Sequence, residues 1–184
     1  MLRIAPLDYD EMPAAARAAH DDHLRVARIT NMKRTLLHSV PAFDALMTWY
    51  RLRDTVQPFL GERLTTLFAH AVSAETDCLI CSTFFRRILI DSGEDPDALA
   101  LDPREADVVA FGRALAQTPH RVPDALYEPV AARLSDQQMV ALTAFGAMMV
   151  ATNVINNVLQ VPLDDYLHPY RKQPAAAEGI GAHG

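Results

Sequence analysis

Apolar positions along this chain recur at helical spacing almost from end to end. From Pro41 onward, Phe43, Leu46, Met47 and Tyr50 follow an i, i+3, i+4, i+7 rule, and Leu64, Leu67, Phe68 and Ala71 repeat it. The alternating runs that mark strands are absent, and glycine is scarce at 7 residues. The pattern predicts an all-α helical bundle. Its helices are expected to start near Pro13 and near Pro41, then to cover 61–74, 78–91 and 103–117, with a short one after Pro123. Ser135 and Gln138 form a capping-box pair that opens a long apolar helix to about Leu159, stopped by Pro162. Residues 1–12 read as an irregular lead-in, residues 1–173 as a single domain, and 174–184 as a disordered tail.

The polar stretch Ala74-Glu75-Thr76-Asp77 interrupts the pattern just before Cys78-Leu79-Ile80-Cys81, which holds the only 2 cysteines of the sequence. Thr76 or Asp77 is the expected N-cap of the following helix, which places Cys78 in its first turn and Cys81 one turn on, on the same side. Unpaired backbone N–H groups and the positive end of the helix dipole favour an anion there, and the thiolate is the reactive form of cysteine. The pair therefore reads as an attacking and a resolving thiol, with the roles left open by spacing alone. Inert core thiols are the plainer alternative. A zinc site would need four ligands and no His follows at ligand spacing, so no metal or cofactor is expected.

Composition narrows the setting. Half of the residues are hydrophobic and the net charge is -6, without a basic cluster, which argues against nucleic-acid binding. No apolar run is expected to reach the ~20 residues that span a bilayer. The acidic N-terminal stretch is a poor signal peptide, so a cytoplasmic location is expected. In that compartment a CxxC pair reads as catalytic, redox-sensing or metal-binding rather than as a structural disulfide.

Further groups carry weaker signals. His70, two turns before the end of its helix, is a candidate substitute base for the thiols, with a boundary or interface role as the simpler reading. Arg86 and Arg87 read as a solvated helix face, with attraction of an anionic substrate as the alternative. Asn153, Asn156 and Asn157 share one face of an apolar helix, where a structural or interface role is preferred over lining a thiol pocket. Met148, Met149, Phe145, Trp49 and Tyr50 read as packing. No phosphate loop, Ser/His/Asp order or dinucleotide fingerprint is present.

The stretch from Arg63 to Cys81, with its Ala71-Val72-Ser73 segment, short turn and CxxC, resembles the alkylhydroperoxidase D and carboxymuconolactone decarboxylase superfamily. Asn31-Met32 with His38-Ser39-Val40-Pro41 is similar to that family's N-terminal "N-M … HSP" stretch, and Asn153 to Leu163 to its "N … N … L-G-V-P-L" finish. The likeness covers roughly residues 30–167. It implies an all-α fold, assembly into dimers, trimers or hexamers, and peroxide reduction by Cys78 and Cys81, which a thiol reductant partner would then reset; the expected substrate is a small hydroperoxide or a partner disulfide. The family's peroxidases carry a His four residues after the second Cys and a Glu twelve before the first. Phe85 and Thr66 stand at those positions here, so both relay groups are replaced. A non-catalytic binding or redox-sensing protein on the same scaffold, and lactone decarboxylation, are the other readings.

Overall fold

The computed structural model describes residues 2–172. The expected tail, 174–184, lies outside them. Among the described residues there are nine α-helices and no strand. In chain order they are α1 (Ala14–Leu24), α2 (Asn31–Leu36), α3 (Val40–Met47), α4 (Trp49–Leu60), α5 (Glu62–Glu75), α6 (Leu79–Asp91), α7 (Pro103–Ala116), α8 (Asp124–Ala131) and α9 (Asp136–Leu159). Short 3-10 turns precede α1 and follow α9, at Tyr9–Glu11 and Asp165–Tyr170.

The bundle is organised about α5, which packs against α4, α6, α7 and α9. Its apolar stripe meets a stack of rings: Phe68 lies 6.3 Å from Phe111 of α7 and 5.9 Å from Phe145 of α9. Both neighbours approach closely because Gly112 and Gly146 face the Phe68 ring. A Cβ at either glycine would come within 2.9 Å of it. The Ser135 capping box forms in both directions, as expected, and Asp102 and Glu105 form a second one at the head of α7.

Two expected elements differ. The helix starting near Pro41 is broken at Thr48 into α3 and α4, and the Thr48 hydroxyl donates back to the Ala45 carbonyl at 2.6 Å. The added α2 lacks an apolar stripe. It is held by the Thr30 side chain, which accepts from the Lys33 N–H, and by long-range bonds of Asn31. The Asn31 N–H donates to Asp164 at 2.9 Å and its amide donates to the carbonyls of Pro162 and Leu163, both at 3.3 Å. The two stretches that flank the CxxC region in sequence are thus clasped together in space.

One expectation on apolar length is overturned. α9 is long and apolar enough to cross a membrane by length and composition. It packs along one side against α4, α5 and α7. It enters the thiol region with its C-terminal third.

Candidate active site around Cys78 and Cys81

The turn between α5 and α6 positions the thiols, and it is built differently from the expected cap. α5 ends in a Schellman motif. The Asp77 N–H donates to the Ala74 carbonyl at 3.2 Å and the Cys78 N–H to the Ser73 carbonyl at 3.1 Å. Asp77 occupies the left-handed position of that motif, at φ +49°, a conformation that Asp tolerates better than most side chains. Asp77 therefore closes α5 rather than capping α6. Thr76 also looks backward, donating to the Val72 carbonyl at 3.0 Å. The N-cap of α6 is Cys78 itself. Its backbone is bonded to both helices, since its carbonyl accepts from the Ser82 N–H at 2.9 Å.

α9 braces this turn with its three asparagines. Asn153 donates to the Thr76 hydroxyl at 2.7 Å and Asn157 to the Thr76 carbonyl at 2.9 Å. Asn156 reaches the thiols, with its amide nitrogen 3.4 Å from the Cys81 sulfur and 3.7 Å from that of Cys78. Asn156 is thus a site residue, contrary to the preference for a structural or interface role. The helical Asn-x-x-Asn-Asn spacing on an apolar helix was the signal, and only the position of α9 decides which amide meets sulfur.

Both cysteines are free thiols, 3.6 Å apart. A disulfide, with S–S near 2.05 Å, needs a further approach of about 1.5 Å. Their environments differ. Cys78 is wholly buried, whereas Cys81 is 8% exposed and lines a cleft. Cys78 has its pKa lowered to about 7. The hydrogen bond from the Cys81 thiol contributes most; burial opposes it, and the Cys81 backbone N–H, the Asn156 amide and the Ile80 backbone N–H add to it. Cys81 is pushed well above the usual thiol range, first by holding its proton toward Cys78, then by burial and the Cys78 charge. The two titrate as one unit, in which Cys78 is the more acidic sulfur and Cys81 the less acidic one.

The cleft runs outward from Cys81 between α2, α3, α4 and α6. An inner chamber of about 110 Å³ is walled by Ile80, Phe84, Phe85, Met47, Trp49 and Met149. Thr30, Lys33, Tyr50 and Tyr166 line it and also the outer vestibule, of about 410 Å³. Lys33 is only 4% exposed and donates to the Tyr50 hydroxyl at 2.9 Å and to the Arg28 carbonyl at 2.6 Å. Burial lowers its pKa to about 8, against the pull of Asp164. The Lys33–Tyr50 pair places a proton donor in the same cleft as Cys81. Trp49 and Tyr50 are cleft walls as well as packing.

Solved structures share this fold, among them the alkylhydroperoxidase AhpD core of a peroxidase-related protein from Ralstonia eutropha JMP134. It superposes with a TM-score of 0.71 at 18% identity, covering 90% of this chain and 94% of that one. This chain has the alkylhydroperoxidase D fold. No protein-family model and no curated protein matches the chain.

Within this alkylhydroperoxidase D fold, Phe85 stands one turn below Cys81 as an aromatic cleft wall, 6.4 Å from the Trp49 ring. Thr66 donates to the Glu62 carbonyl at 3.0 Å, within its own helix, and borders the vestibule. His70 lies apart. Burial, followed by the charges of Arg86, Arg113 and Lys172, lowers its pKa to about 4, with Asp97 opposing. It is absent from the cleft lining and from the hydrogen bonds to either sulfur. Arg86 pairs with Asp97, whereas Arg87 lines the vestibule and so departs from the solvated-face reading. Among the described residues, no three His, Cys, Asp or Glu side chains converge as a metal site.

Proposed function

We propose that this chain is a peroxidase-like thiol oxidoreductase in which Cys78 and Cys81 cycle between dithiol and disulfide. The observation that carries this reading is the asymmetric thiol pair: an acidic, buried Cys78 against a cleft-lining Cys81, both within reach of one amide. The Cys78 thiolate takes the proton of Cys81 as the Cys81 sulfur attacks the terminal oxygen of a hydroperoxide. The O–O bond breaks, leaving a sulfenic acid on Cys81 and an alkoxide, which is protonated to the alcohol. Cys78 then attacks the Cys81 sulfur, the S–S bond forms, and hydroxide leaves with the Cys78 proton as water. The net reaction consumes two thiols and one hydroperoxide and yields a disulfide, an alcohol and water. A dithiol reductant partner resets the pair by exchange. In this scheme Cys78 supplies the base that the replaced relay would otherwise provide, and His70 has no part.

Steady-state hydroperoxide consumption with a small dithiol tests the scheme. Cys78→Ser and Cys81→Ser should each lose turnover by at least about 100-fold, the order of a general base or nucleophile. Full turnover in both single variants sinks the reading.

Assembly into a homo-oligomer is part of the same proposal. The outer face of α9 carries Val140, Thr143, Ala147, Ala151, Val154 and Val158, all exposed and spaced three or four apart. Such a seam fits a second copy of itself. Light scattering on the native chain and on Val154→Glu should show a larger particle only for the former.

A further inference from the structure

The thiol cleft has more positive charge at its mouth than thiol chemistry requires. Arg28 and Arg87 both lie over the Tyr166 ring, at 4.3 and 5.6 Å, and all three line the vestibule. Arg53 stands over Trp49 and Tyr50 at 5.5 Å from each ring, and the Lys33 ammonium is 5.2 Å from the Tyr50 ring. These cations are only lightly neutralised. Arg53 pairs with the neighbouring Asp54, Arg87 reaches Asp91 at 3.6 Å, and Arg28 joins none of the ion pairs among the described residues. The acidic groups lining the two chambers are Glu62 in the vestibule and Asp164 further in. On a chain of net charge -6, this is a local reversal of sign. Past the arginines, most of the wall up to Cys81 is apolar and aromatic, with Lys33, Asp164 and the Thr30, Tyr50 and Thr152 hydroxyls among its polar groups.

We infer that the cleft takes an anionic molecule with an apolar body, its carboxylate at the arginine mouth and its hydrocarbon directed toward Cys81. The inference rests on the thiol reading above and names its substrate class: a hydroperoxide carried by an amphiphilic acid. Guanidinium groups suit a carboxylate through paired N–H donors, and their stacking on aromatic rings fixes the plane they present. A small free anion leaves the apolar walls unused, and a neutral oil leaves the arginines unused. Only a molecule with both ends uses both. The arrangement also orients the substrate, since anchoring the carboxylate sets how far along the chain the reacting oxygen meets sulfur.

Trp49 is the only tryptophan of the chain and lines both chambers, so its fluorescence reports on the cleft directly. Titration with sodium decanoate should change its emission saturably. Decanol should bind about tenfold more weakly, acetate should give no saturable change, and the double substitution Arg28→Gln/Arg87→Gln should weaken decanoate by about tenfold or more. Equal affinity for decanol and decanoate, or undiminished affinity in the double variant, overturns the inference. A turnover arm separates the two claims. A fatty-acid hydroperoxide should exceed tert-butyl hydroperoxide in kcat/KM by about tenfold or more. If tert-butyl hydroperoxide is reduced through the thiols with no such preference and decanoate does not bind, the substrate class falls while the thiol reading stands. If decanoate binds as described and neither hydroperoxide is consumed, the site stands and the thiol reading falls.

Discussion

The crossing at Phe68 and the turn at Cys78 are both served by α9, and they are built on opposite principles. At the crossing α9 contributes Gly146, a missing side chain, so that Phe68 and Phe145 can stack in a fully buried core. At the turn, further along the same helix, it contributes three amides that bind Thr76 and the two sulfurs. The first region is held by volume, and it resists any change of size. The second is held by hydrogen bonds to a non-helical segment, and it trades packing for control over where a proton sits. A single helix thus fixes the fold at one point and tunes the chemistry at the other.

That contrast can be broken at several points. Phe68→Ala should have the largest effect, destabilising the protein by about 3–5 kcal/mol in denaturant unfolding. The thiol titration of the molecules that remain folded should hardly move. A large shift in that titration would mean that the two regions are not separable. Thr76→Val should come next. It leaves the Asn153 amide without its hydroxyl partner, at a cost of about 1–3 kcal/mol. It should also slow disulfide closure, followed by mass spectrometry of thiol content.

Asn156→Leu sharpens the comparison from the chemical side. Its amide favours the thiolate at both sulfurs, so the first deprotonation of the pair should rise above about 7. A shift of about one pKa unit is expected, the equivalent of about 1.4 kcal/mol, read from ultraviolet thiolate absorbance against pH. Stability should change less than in Thr76→Val. The smallest effect concerns His70, which belongs to neither region. Its pKa is lowered to about 4 by burial, so the unfolded chain binds its proton first as pH falls. Stability from this group is complete above about 6.5 and declines toward about 4, by about 1 kcal/mol for a ring with some solvent access. His70→Asn should flatten that part of the acid-unfolding curve and leave the thiol titration alone.

The first region was legible in the chain and the second only half so. The stripe Leu64, Leu67, Phe68, Ala71 is periodic, and the Ser135–Gln138 box is a local signal, so α5 and the start of α9 follow from sequence rules. The turn resists such reading because its logic is not local. Asp77 has the chemistry of a cap for α6, yet it serves as the left-handed residue that closes α5, a distinction set by the backbone path into Cys78. Asn156 meets sulfur 75 and 78 positions away along the chain, which periodicity cannot state. α2 escapes a periodicity reading because it is six residues long and two of its three buried residues, Lys33 and Thr35, are polar. Thr30 and Asn31 fix its start by hydrogen bonds. Arg87 faces the cleft because Tyr166, far along the chain, offers it a ring.

The division of roles between Cys78 and Cys81 is tested most directly by adding one equivalent of hydroperoxide to the reduced protein and locating the oxidised sulfur by mass spectrometry. The native chain should lose both thiols to a Cys78–Cys81 disulfide. Cys78→Ser should arrest at a sulfenic acid on Cys81, and Cys81→Ser should show no comparable oxidation. Rapid oxidation of Cys78 in Cys81→Ser, or a native chain that keeps both thiols, would contradict this division.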